Sequence, residues 1–221
     1  MDIKEYLGNI DYPGRVVAAG WDECGYPVLF YAITGRSGNS RNRILVSENG
    51  TVKTRAYDES KVEDPSLIIY TAFKSIGSTM IITNGDHTDT IAEYLEQGKS
   101  LEDAIASRTY EPDSPSYTPR IGAVVSDDSI CFFIIKRDGD APLRIIWKYE
   151  KENGILHLIH TYERNGNPLP SFSGNPVRLE QAGEMVLEDC WNALKREYHV
   201  SAFIRTSAEE RIINALEDLN G

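Results

Sequence analysis

Apolar and polar positions along the chain change their period twice. Residues 14–22 (GRVVAAGWD) and 26–34 (YPVLFYAIT) are short apolar runs rich in β-branched and aromatic side chains, separated by a turn at ECGY. That pattern predicts strands. Residues 43–57 (RILVSENGTVKTRAY) carry the same signature on both sides of a turn at ENG. Residues 65–85 (PSLIIYTAFKSIGSTMIITNG) predict two further extended segments that turn at Ile76-Gly77-Ser78. From about residue 89 the spacing becomes helical, through DTIAEYLEQGK and SLEDAIASRTY, with Ser100 and Asp103 spaced as a capping box. The strand signature returns at 120–126, 129–138, 142–150 and 154–163. Residues 178–198 place Ala182, Met185, Val186, Cys190, Ala193 and Leu194 on one helical face, with Asp189 the exception in that stripe. Residues 207–219 open with Ser207 and Glu210, again a capping-box pattern, and also predict a helix. Strands, helices, strands, helix is the order of an α+β fold whose helices cover antiparallel sheets, here as one domain.

Composition narrows the class of partner. With 41% hydrophobic and 26% charged residues the chain reads as globular, not disordered. A net charge of −11 argues against a nucleic-acid backbone as partner, while leaving room for a small anion held by a local basic cluster. No apolar run reaches the ~20 residues of a membrane span, so no membrane partner is expected. The start MDIKEYLGNIDYPG has neither a basic head nor an apolar core, so no secretory signal is expected there. Cys24, Cys131 and Cys190 are scattered and odd in number. They read as reduced, packed thiols of a cytoplasmic protein.

Three polar stretches carry candidate chemistry. TGRSGNSRNR (34–43) holds Arg36, Arg41 and Arg43 with no acid, and Ser37, Asn39 and Asn42 as further hydrogen-bonding groups. Guanidinium forks match phosphate or carboxylate. The stretch lacks the GK[ST] ending of a P-loop. TNGDHTDT (83–90) puts Asn84, Asp86 and His87 at a strand-to-helix turn, with a helix expected from near Thr90. A helix start favours anions, and histidine titrates near neutrality. YEPDSPSYTPR (110–120) is stiffened by three prolines and offers Glu111, Tyr117 and Arg120 as acid/base, phenol and cation. The ordinary readings of the three are a solvated basic loop, a helix cap and an ordered loop. His157 and His160 in HLIH lie on a predicted strand and so on opposite faces, which speaks against a shared metal. Cys190 is expected in the core.

Taken together, YPGRVVAAG, GRSGNSRNR, IIYTAFKS, NGDHTDTIAEYLEQGKSLEDAI, YEPDSPSYTPRIGAVV and SFSGNPVRLE resemble the archaeal-type IMP cyclohydrolase family. The resemblance covers most of the chain, and NGDHTD and YTPRI are its most specific parts. It implies a single domain over 1–221, with a fold like that of N-terminal nucleophile hydrolases: a four-layer αββα sandwich of two stacked antiparallel sheets. It implies closure of the purine ring of a formylated aminoimidazole carboxamide ribonucleotide to give IMP, with no cofactor and no metal. It also implies a purine-ribonucleotide substrate and allows a homo-oligomer. The catalytic set so implied is Glu111, Tyr70 and His87. The substrate-binding set is Arg36, Ser37, Arg41, Asn42, Arg43, Lys74, Asn84, Asp86, Tyr117 and Arg120, with Arg41 left open by extra residues between Ser37 and Asn42. Removal of Met1 would expose Asp2 and not Cys, Ser or Thr, so an amidohydrolase with a free N-terminal nucleophile is not expected. Cleavage before Cys24 would discard the YPGRVVAAG strand. The alternatives are a purine-nucleotide-binding protein without turnover, or a related cyclisation or amide hydrolysis.

Overall fold

The computed structural model describes residues 1–62, 65, 68–181 and 183–218. Alternation in the first runs sorts side chains to two sides. Strands β1 (Arg15–Trp21) and β2 (Pro27–Thr34) pair antiparallel, with Val17 opposite Tyr31. Val17, Ala19, Leu29, Tyr31 and Ile33 turn to one face, and Val16, Ala18, Val28, Phe30 and Ala32 to the other. Both faces are apolar, so this sheet must be covered twice.

The inner cover is a second sheet. β3 (Arg43–Glu48) and β4 (Thr51–Ala56) form the hairpin expected at ENG, whose Asn49 (φ 52°) and Gly50 (φ 73°) take the left-handed conformations of a tight primed turn. β5 (Thr71–Ile76), β6 (Thr79–Thr83), β7 (Arg120–Val125), β8 (Ser129–Asp138) and β9 (Ala141–Glu150) continue it in chain order, making seven antiparallel strands. The first sheet has six, in the order β11-β10-β1-β2-β12-β13, adding β10 (Ile155–His160), β11 (Val177–Glu180), β12 (His199–Arg205) and β13 (Glu210–Asn214). Leu45, Phe73, Ile82, Ile121, Phe132 and Phe203 fill the space between the sheets.

Helices close the outside. α1 (Ile3–Asn9) and α5 (Leu187–Ala193) set Ile3, Leu7, Leu187, Cys190 and Trp191 on the outer face of the six-stranded sheet. α3 (His87–Glu96) and α4 (Leu101–Ala106) set Ile91, Ala92, Leu101 and Ile105 on the other sheet. The result is the expected αββα layering. Ser100 and Asp103 make the reciprocal cap of α4. Short helices α2 (Gly38–Arg41) and α6 (Ala215–Asp218) lie in connections.

Several expectations at the chain ends do not hold. Residues 178–198 are not one helix. Val177–Glu180 pairs with β10 at the sheet edge, Gly183 turns through φ +79°, and only 187–193 is helical. Ala182 of the expected stripe lies outside the described residues. Residues 207–214 are not helical either, and Ser207 caps nothing. β13 pairs with β12, a strand the helical reading had overlooked, because consecutive β-branched Ile212 and Ile213 suit a pleated edge better than a helix. Asn214 then ties the sheets together, its Oδ1 accepting from Leu45 N at 2.9 Å and its Nδ2 donating to Leu45 O at 3.0 Å. The extended segment expected from Pro65 becomes a strand only at Thr71, the start of β5, and residues 63, 64, 66 and 67 lie outside the described set. α1 was not anticipated; Asp2 Oδ1 caps it by accepting from Glu5 N at 2.8 Å. Cys190 is buried as expected, whereas Cys24 is exposed.

Candidate functional site

Antiparallel order brings the starts of β1, β3, β7 and β12 and the ends of β2, β6 and β10 to one end of the sandwich. Arg15 opens β1 on the same face as Val17, so its guanidinium enters the space between the sheets. Arg43 opens β3 on the face of Leu45 and is 3% exposed. Between them a phenol pair bridges the two sheets: Tyr31 Oη of β2 lies 2.7 Å from Tyr70 Oη.

This cluster is electrostatically unusual. Arg43 Nε and Nη1 and Arg15 Nε are buried without a hydrogen-bond partner among the described residues. Buried donors are rarely left so. Burial, together with the charge of Arg15, lowers Arg43 to about 10. Arg15 is held above its ordinary value despite burial, because Tyr70, Tyr31, Tyr12 and Tyr162 surround it. Burial pushes Tyr31 well above the usual phenol value, as does Tyr70. Such a site gains by taking in negative charge.

A second cluster adjoins it. Arg120, the first residue of β7, points to the outer face of its sheet. Its Nη1 meets Glu111 Oε1 at 2.9 Å and Asp86 Oδ1 at 2.5 Å, and its Nε donates to Thr109 O at 2.8 Å. Asp86 also pairs with Arg108. It therefore occupies the cap position of α3 without capping it. Burial raises the Glu111 carboxyl above its ordinary value, Asp86 and Asp113 add to this, and Arg120 and Arg15 oppose it. Glu111 is thus the group that feels both clusters. Gly85 makes the approach possible: a Cβ there would stand 2.9 Å from Arg120 Nη1 and 3.2 Å from Glu111 Oε1.

His87 is fully enclosed in the first turn of α3, which begins three residues before the expected Thr90. Its Nε2 lies 3.2 Å from the Ile121 carbonyl and so donates, and its Nδ1 accepts from Arg120 Nη1 at 3.1 Å. Burial and the neighbouring Arg120 hold it neutral, at about 3. Asn84 is likewise committed to backbone, donating to Pro119 O at 2.9 Å and accepting from Ile121 N at 2.8 Å.

The remaining expected residues spread out. Of the 34–43 stretch only Arg43 reaches the phenol pair. Asn42 is fastened to Asp58 by two hydrogen bonds of 2.8 Å. Ser37 caps α2. Arg36 is exposed, lies over the Tyr12 ring at 5.1 Å and donates to Gly166 O and to Asn165. Arg41 turns away, donating to Gly35 O at 3.0 Å and to Glu197 O. Lys74 projects from the opposite face of β5 to Phe73, with its Nζ 3.9 Å from Asp89. Tyr117 sits at φ +43° beneath the Arg137 guanidinium, 4.1 Å from its ring centre.

Arg15, Tyr31 and Arg108 were missed. Arg15 carried a signal, being the only charge in RVVAAGW on the strand's inward parity. Tyr31 did not, since a tyrosine in YPVLFYAIT reads as core. His157 and His160 do face opposite ways: His157 stacks on Tyr149 of the second sheet at 3.7 Å, and His160 lies 2.9 Å from Tyr6 Oη of α1. Among the described residues no group of three His, Cys, Asp or Glu is placed to hold a metal ion, and no helix is long and apolar enough to cross a membrane.

Fold and site together define an αββα protein with a buried cationic cluster around a phenol pair at one end of its sheets. Residues 12–211 match the family described as IMP cyclohydrolase-like protein. The chain is 34% identical over 153 residues to the IMP cyclohydrolase of Methanocaldococcus jannaschii, covering 68% of this chain and 73% of that protein. Against the IMP cyclohydrolase of Methanothrix thermoacetophila it is 30% identical over 167 residues, covering 74% and 80%. Against that of Methanococcus aeolicus it is 30% identical over 156 residues, covering 69% and 74%. The chain belongs to the IMP cyclohydrolase-like family.

Proposed function

We propose that residues 1–221 act as one domain, in the cytoplasm, as an IMP cyclohydrolase whose active site is built around Arg15, Tyr31, Arg43, Tyr70 and Glu111. The observation that carries this reading is the pair of buried guanidiniums with unpartnered nitrogens around a hydrogen-bonded phenol pair. The named relatives and the family match supply the reaction.

In that reaction the carboxamide nitrogen attacks the formyl carbon of the same molecule. One C–N bond forms, and the formyl oxygen leaves as water with one hydrogen from the carboxamide nitrogen and one from the formamide nitrogen. Nucleophile and electrophile are already joined, so the protein's main task is to hold the reactive rotamer. Arg43 and Arg15 supply positive charge where the formyl oxygen becomes an oxyanion, in surroundings that exclude water. Tyr70, polarised by Tyr31, donates to that oxygen. Glu111 takes the amide proton, a role its raised pKa suits. The ribonucleotide's phosphate reaches the rim, where Arg36 stands.

This reading moves His87 from the catalytic set to a supporting one. Both of its nitrogens are occupied, and it steadies Arg120, which in turn orients Glu111. Asp86 and Asn84 act in the same supporting way.

The test is turnover of the formylated ribonucleotide by pure protein, followed as IMP absorbance. Product well above the uncatalysed rate is expected. Glu111→Gln should lower kcat by about a hundredfold or more while KM stays within a few-fold. No turnover, or a Glu111→Gln rate equal to that of the parent, would overturn the assignment.

A further inference from the structure

A cavity of about 530 Å³ lies apart from this cluster and is walled by Arg41, Trp191, Asn192, Arg196, Glu197 and His199. The turn 196–198 separates the two. Tyr198 packs edge-on against Tyr12 on the cleft side, at 5.0 Å, while Arg196 and Glu197 face the cavity.

The cavity's charge is not balanced. Arg41 spends its donors on the carbonyls of Gly35 and Glu197, which leave its charge in place. The Arg196 side chain makes no hydrogen bond and no ion pair among the described residues; only its carbonyl is engaged, accepting from His199 N. The one carboxylate on the wall, Glu197, lies beside the Tyr198 phenol, which desolvation and then this carboxylate raise. In a chain of net charge −11, two guanidiniums against one carboxylate leave this concave wall locally positive. Beside them the Trp191 and His199 rings lie 3.8 Å apart, 35° from parallel, with His199 Nε2 donating to Leu194 O at 3.0 Å. An aromatic wall next to guanidinium forks suits a flat ring that carries a phosphate. The volume falls within the roughly 300–1,000 Å³ of small-molecule sites.

The geometry points to a second ligand site here, distinct from the catalytic cleft, that binds a phosphate-bearing heteroaromatic compound of the nucleotide class. Arg41 belongs to this site. Asn42, fastened to Asp58, holds Arg41 and Arg43 apart so that they serve two separate pockets.

The experiment is calorimetric titration of the purified protein with AMP at low salt, comparing the parent with Arg196→Ser and Asn192→Glu. Both positions are exposed and outside the catalytic machinery, so both variants should keep the parent's unfolding midpoint and its rate of ring closure without AMP. An AMP site weakened by about tenfold or more in each variant is the expected result. Binding alone decides the matter, so it is readable even if no ring closure is found. AMP binding absent, or unchanged in both variants, would overturn the proposal.

Discussion

Acidification to about pH 5 should weaken this protein before most of its carboxylates titrate. His87 and His160 are enclosed, and burial lowers them from the usual 6.5 to about 3 and about 4. A histidine depressed in the folded state is protonated first in the unfolded chain. Its contribution is therefore complete above about pH 6.5 and is lost as pH falls toward the folded values. At about pH 5 each group has forfeited roughly 1.5 units of proton linkage, or about 2 kcal/mol, so the pair removes about 4 kcal/mol relative to pH 8. His157 and His199, also lowered by burial, act in the same direction. Glu111 has the opposite sign, because its raised carboxyl lets the folded form take the proton first. One such group trims the loss without reversing it. Asp86 is lowered and matters only below the ordinary carboxylate range. Urea unfolding at the two pH values measures the difference directly. A change below about 1 kcal/mol would mean that these histidines are hydrated or paired when folded, and the burial argument would be refuted.

Further predictions concern the cleft. Arg120→Met would leave Glu111 and Asp86 without their shared cation and His87 Nδ1 without a donor. It should cost about 3–5 kcal/mol in denaturant unfolding, and an effect under 1 kcal/mol would show the network to be ornamental. In the same variant the acid limb of the ring-closure pH profile should move upward, since Arg120 is the largest influence holding Glu111 down. Gly85→Ala puts a methyl against Arg120 and Glu111, so turnover should fall more than stability; an unchanged kcat would show that the close approach at Gly85 does not position the carboxylate.

Much of the fold was readable because period-2 runs bounded by turn residues have few other structures available. The hairpin at ENG and the strand pair turning at Gly77 are cases in point. The C-terminal third was misread for a definable reason. Positions 185, 190 and 194 have helical spacing whether or not a helix joins them, and Ile212-Ile213 suits a strand only if β12 is there to pair with it. That pairing is long-range and leaves no local mark. The site divides similarly. Polar loops such as NGDHTDT and YEPDSPSYTPR stand out against apolar strands, and they do meet at Arg120. Arg15 and Tyr31 acquire chemical meaning only when two sheets face one another, which no window of sequence contains. Conversely, Arg36, Arg41 and Arg43 look equivalent in the sequence, yet α2 and the Asn42–Asp58 clasp send them to the rim, the second cavity and the cleft.

A crystal structure with IMP bound would show directly whether Arg15, Arg43, Tyr70 and Glu111 hold the nucleotide. The purine ring is expected between Tyr70 and Glu111, with Arg43 nitrogens within about 3 Å of the nucleotide's oxygen acceptors. A nucleotide found only elsewhere, with Arg15 and Arg43 untouched, would contradict it.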